Sequence, residues 1–143
     1  MSGTTTVKTL HLQGPALDWI VARIEFPKGA YGGEADHYSG NNNERWIRIP
    51  DKENRSYTLA NYSTNWAQGG PIFEREIASH STDDNSPTKY AWHKNGESRS
   101  YGPTLLVAAM RCYVESQLGP EVELPDVFLP YCHQPAKPKG PAL

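Results

Sequence analysis

The chain has 143 residues, a length that fits one domain and leaves little room for a second. Its 14 basic and 16 acidic residues give a formal net charge of -2, so no global field favours a long nucleic acid or an anionic membrane surface. No apolar stretch approaches the roughly 20 residues of a membrane-spanning helix. The opening MSGTTTVKTL also lacks the apolar centre of an export signal, so the expected setting is cytoplasmic.

Aliphatic residues are sparse, but 10% of the chain is aromatic, which supplies apolar area for a small core and excludes disorder for most of it. Val7, Leu10 and Leu12 suit a short leading strand. Gly14-Pro15 then opens a helix in which Leu17, Ile20, Val21 and Ile24 share one face, and Pro27 ends it. From about residue 28 to 55 the chain is polar and glycine-rich, and reads as a loop insert, either a functional flap or partly disordered, with one strand at Trp46–Ile49.

SYTLANYS, residues 56–63, alternates as a strand. In the segment that follows, Gly69-Gly70-Pro71 joins a loop to a short helical or extended piece carrying Ile72, Phe73 and Ile77. Lys89–Lys94 predicts a strand with Tyr90 and Trp92 on one face, and Asn95-Gly96 turns it into a hairpin with a partner from about Ser98. Gly102-Pro103 opens the clearest helix, with Val107, Met110, Val114 and Leu118 in register and Gly119-Pro120 as its stop. Residues after Glu121 read as irregular chain, and 131–143 as a mobile Pro/Lys-rich tail. The sum is a single α+β domain over 1–130, a small antiparallel sheet with two main helices packed on one face.

Catalytic and cofactor templates are missing: the chain has no phosphate-loop, dinucleotide, nucleophile-elbow or zinc-protease pattern. The five histidines are scattered and neither Cys112 nor Cys132 lies in a C-x-x-C pair, so no metal or cofactor is expected and both cysteines read as reduced thiols. The richest stretch is Ser63–Pro71. Paired Gly69 and Gly70 let a ligand approach the main chain and offer consecutive N–H groups to an anion, Trp66 supplies a stacking surface, and Asn65 and Gln68 supply donors and acceptors. The same residues also suit a purely architectural corner, with Trp66 in the core and Asn65 as a cap.

Two arginines can add charge. Arg75 lies between Glu74 and Glu76, which favours a salt bridge, whereas Arg111 interrupts an apolar helix face where a guanidinium can hold a phosphate or carboxylate bidentately. Tyr101 precedes that helix, whose N-terminus attracts anions. The Ala108-Ala109 pair would admit a symmetry mate, giving a homo-oligomer, or the chain's own sheet; both stay open.

Three segments together, Leu17–Glu25, Ser63–Glu76 and Tyr101–Asp126, resemble the NinX-like family of small phage proteins, a domain without an assigned function. Their N-W-x-x-G-G-P core and A-A-M-R-C-Y helix carry the likeness. The resemblance implies a phage or prophage origin and a bacterial host cytoplasm, but no reaction. The departures are the polar insert at 31–57, the turn at 83–86 and the tail. Among the matched positions Asn65, Trp66, Gln68, Gly69, Gly70 and Arg111 are the first candidates for recognition.

The leading expectation is a phage accessory protein that sequesters a small phosphate-bearing or nucleotide-like ligand without turning it over, an anti-defence signal sponge. Its ligand-binding residues are Asn65, Trp66, Gln68, Gly69, Gly70, Arg75, Tyr101 and Arg111. A second reading is an inhibitor that engages a host protein through exposed Trp46, Trp92 or Tyr31. A third is a small hydrolase pairing Glu74 with His80 or His93.

Overall fold

The computed structural model describes residues 4–27, 38–39, 46–51, 56–81 and 85–132. In chain order it contains β1 (Thr4–Lys8), α1 (Gly14–Glu25), β2 (Tyr38–Ser39), β3 (Trp46–Asp51), β4 (Ser56–Leu59), α2 (Trp66–Glu76), β5 (Ile77–His80), β6 (Lys89–His93), β7 (Arg99–Gly102), α3 (Leu105–Leu118) and β8 (Glu121–Pro125). Short 3-10 turns span Thr9–His11 and Asp126–Tyr131.

The α+β class stands. Within it the described residues form three α-helices and three small antiparallel sheets, β1-β8, β2-β3-β4 and β5-β6-β7, where the sequence reads as two helices on one sheet. The third helix is α2, which carries Gly69, Gly70 and Pro71 inside it. Two features offset their poor helix propensity. The Asn65 carboxamide caps the first turn by accepting from the Ala67 N–H at 2.8 Å, and Ile72 is buried in the core, so tertiary packing holds what propensity alone would not.

Helix α3 is the centre of the core. Every residue from Leu106 to Val114 is buried, because β6 and β7 cover one side of the helix while α1 and α2 cover another. Thr104 Oγ1 caps it by accepting from the Val107 N–H at 3.1 Å, and Gly119, at φ +93°, stops it in a conformation that other residues resist. Leu118, predicted on the apolar face, lies past the covering elements and is exposed. Gly102 permits the close approach of α3 to β7: a Cβ there would sit 2.8 Å from Val107 Cγ1 and 3.2 Å from the Ala108 nitrogen.

The hairpin at Asn95-Gly96 forms as its sequence predicts. Asn95 Oδ1 accepts from the N–H groups of Glu97 and Ser98, and Gly96 takes φ +79°. The strand predicted over 56–63 ends at Leu59, since Tyr62 and Ser63 turn inward and the Ser63 N–H donates to the buried Asp18. The irregular chain expected after Glu121 is instead β8, paired with β1 from Thr4↔Pro125 to Lys8↔Glu121. Cys132 is buried and bridges Leu12, so the described start of the expected tail is packed; residues 133–143 and most of the 28–55 insert lie outside the described residues.

Candidate functional site

Arg111 is placed by α3 with its head against the edge of the β5-β6-β7 sheet. Its Nε donates to the Leu12 carbonyl at 2.7 Å and its Nη1 to the Tyr101 carbonyl at 2.8 Å. The guanidinium thus ties the edge strand β7 to the segment leading into α1. It is 4% exposed, and among the described residues no carboxylate pairs with it. Burial lowers its proton affinity, while the Tyr101 side chain raises it; an arginine nonetheless keeps its charge in a protein. The two bonds use two of the five guanidinium N–H donors, and Nη2 bonds to no described residue.

A cleft of about 400 Å³ opens beside it, lined by His11, Gln13, Thr88, Tyr101, Pro103 and Arg111 among others. That volume suits a small ligand. No described lining residue is acidic, and Gly102-Pro103 lead into the N-terminus of α3, whose positive dipole end adds to the guanidinium. A second cleft of similar size, between α1 and β8, sets Glu121 and Glu123 against Arg23, which offers an anion far less.

Of the residues singled out from sequence, the structure brings Tyr101 and Arg111 together at this cleft. It keeps the others apart from it. Asn65 is the helix cap; Gln68 accepts from the Asn61 N–H at 2.6 Å and donates to the Leu59 carbonyl at 2.8 Å. The paired glycines are not a ligand-gripping bend, because both lie within α2 and the Gly69 N–H donates to the Asn65 carbonyl at 2.9 Å. A Cβ at Gly69 would meet the Tyr62 carbonyl at 2.5 Å, so the residue serves a close helix approach. Trp66 is exposed and leans edge-on against Phe73, ring centroids 5.5 Å apart.

Arg75 is committed to carboxylates. Its Nη2 donates to Glu25 at 2.7 Å and to the Tyr113 hydroxyl at 3.1 Å, and its Nε donates to Glu76 at 2.6 Å. The other Glu76 oxygen faces His93 Nε2 at 2.8 Å. Since His93 Nδ1 accepts from the Asn95 N–H at 2.9 Å, the ring proton sits on Nε2 and is donated to Glu76. The carboxylate beside His93 is therefore Glu76 and not Glu74, and both partners are buried. His80 packs its ring against Phe73. This is a structural network, with α2 clamped to α1, α3 and the hairpin.

Both cysteines are buried, and burial pushes the Cys112 thiol up to about 12, which makes it a poor nucleophile. Among the described residues no three His, Cys, Asp or Glu side chains gather as a metal site needs, and no described helix is long and apolar enough to cross a membrane. Sequence reasoning missed His11, Gln13 and Thr88, which reach the cleft through tertiary approach alone. Of the aromatics named for a host-protein contact, Trp92 is exposed on β6, while Tyr31 and the Trp46 side chain lie outside the described residues.

Fold and cleft together define a small α+β protein with a buried arginine, paired with no carboxylate among the described residues, at an open pocket. The sequence matches the model of the family described as Bacteriophage P22, NinX, over residues 8–117, and the chain belongs to that family. The match spans α1, α2, α3 up to Gln117 and every described residue that lines the Arg111 cleft. No curated protein matches the chain.

Proposed function

We propose that this phage protein captures a small phosphate-bearing ligand in the Arg111 cleft and holds it without turnover. The observation that supports this most is the guanidinium itself. A buried cation with no counter-ion among the described residues is costly, and an anion seated in the adjoining cleft would offset that cost through charge-assisted bonds to the remaining N–H groups. The positive end of α3 adds to the attraction.

In a phage protein, such capture would withhold a phosphate-bearing signal from the host, an anti-defence role carried out in the bacterial cytoplasm. The test incubates the purified chain with a bacterial small-molecule extract, removes unbound material, denatures the protein by heat and analyses what is released. Recovery of an intact phosphorylated compound, lost with Arg111→Ala, supports sequestration. A chemically altered compound would replace capture with catalysis, and an empty protein would overturn the reading.

A further inference from the structure

The β6–β7 hairpin turns two faces to different surroundings. Ala91, His93, Ser100 and Gly102 point inward and are buried, whereas Tyr90, Trp92 and Tyr101 share the outer face and are exposed. The three rings form a ladder. Tyr90 and Trp92 stack with centroids 6.1 Å apart and planes 28° from parallel, and Tyr90 lies 5.9 Å from Tyr101, its cross-strand partner. Three large rings joined through Tyr90 and open to solvent mark a contact surface better than they mark a fold requirement.

Two further observations select the occupant. Arg99 shares the outer face directly opposite Trp92, and neither strand contains a carboxylate. The ladder is also continuous with the cleft, because Tyr101 lines the cleft beside Arg111 and ends the row of rings. A ligand whose phosphate meets Arg111 therefore has an aromatic surface at the mouth of its pocket. Aromatic rings beside a cation on an open sheet are the chemistry that stacks a nucleobase.

We propose that this ladder is a base-stacking platform and that the ligand of the Arg111 cleft is a nucleotide, an inference that rests on the phosphate-capture reading above. Calorimetric titration of the full chain with ribose 5-phosphate and with adenosine 5′-monophosphate separates the two ideas, since the probes differ only in the base. The nucleotide should bind about tenfold or more tighter, the gain expected of one stacked base. The double variant Tyr90→Ala/Trp92→Ala, altered only on the exposed face, should lose most of that gain and keep the ribose 5-phosphate affinity.

Equal affinities for the two probes would overturn the platform and leave phosphate capture standing. Failure of both probes to bind would overturn the capture reading and this inference with it. Light scattering that shows a dimer for the native chain and a monomer for the double variant would also overturn the platform, by assigning the rings to a second copy.

Discussion

Arg111 Nε donates to the carbonyl of Leu12, a residue 99 positions earlier, at 2.7 Å, and so fastens the central helix to the segment before α1. The same head holds the Tyr101 carbonyl at the sheet edge. Arg111→Ala leaves both acceptors without their donor, and each buried orphan costs about 1–3 kcal/mol. Urea unfolding should show a loss of about 2 kcal/mol or more, with Arg111→Lys intermediate because one ammonium cannot span both carbonyls. An alanine variant as stable as the parent would remove the clasp from the account.

Gly69 and Gly70 are neighbours with opposite tolerances. A Cβ at Gly69 would strike the Tyr62 carbonyl at 2.5 Å and Leu106 Cδ1 at 2.7 Å, whereas at Gly70 its nearest contact is Trp66 Cε3 at 3.6 Å. Gly69→Ala should destabilise by about 1–3 kcal/mol through overpacking. Gly70→Ala should be neutral or stabilising by up to about 1 kcal/mol, since alanine favours a helix. Equal melting shifts in thermal unfolding would refute the helical placement of the pair.

Asp18 makes stability depend on pH in an uncommon direction. Burial raises its carboxyl from 3.8 to about 6, against the Ser63 N–H that donates to it at 2.8 Å. The folded protein thus holds the proton more tightly than the unfolded chain, and stability falls as pH rises from about 4 to about 6, then levels. The contribution is on the order of 3 kcal/mol. Asp18→Asn keeps an acceptor for Ser63 and removes the titration, so its advantage over the parent should grow across that window. Parallel pH profiles for the two proteins would contradict the assignment.

Glu76 and Glu74 should respond differently to the same change. Burial alone would raise the Glu76 carboxyl, but the donors Arg75 and His93 outweigh it and hold the group below its usual value. Its stabilisation is present above the ordinary carboxylate range and is lost as pH falls through the lowered value. Glu76→Ala should cost about 2–3 kcal/mol by chemical unfolding, and Glu74→Ala, on the exposed side of α2, about 0.5 kcal/mol or less. Comparable losses would show that the network does not hold α2.

Local signals carried the helices α1 and α3 and the Asn95-Gly96 hairpin, because caps, prolines and turn residues act within a few positions. Strand β8 reads as irregular chain from sequence despite the alternation Glu121-Val122-Glu123-Leu124, because its partner β1 lies at the other end of the chain. Helix α2 was hidden because two glycines and a proline argue for a bend, and only the Asn65 cap and the fit of Gly69 beneath Tyr62 decide otherwise. Within the cleft, Arg111 and Tyr101 were legible as residue types. That Arg111 pairs with carbonyls, and Arg75 with carboxylates, is settled by approaches across long sequence separations.

The most direct test observes the Arg111 side-chain N–H signals by nuclear magnetic resonance while pyrophosphate is added to the intact chain, with Arg111→Lys fixing the assignment. Capture in the cleft predicts a saturable shift of the Arg111 signals, with those of Arg75, held between Glu25 and Glu76, staying in place. Arg111 signals that remain still through saturating pyrophosphate, or that move no more than those of Arg75, would contradict the account.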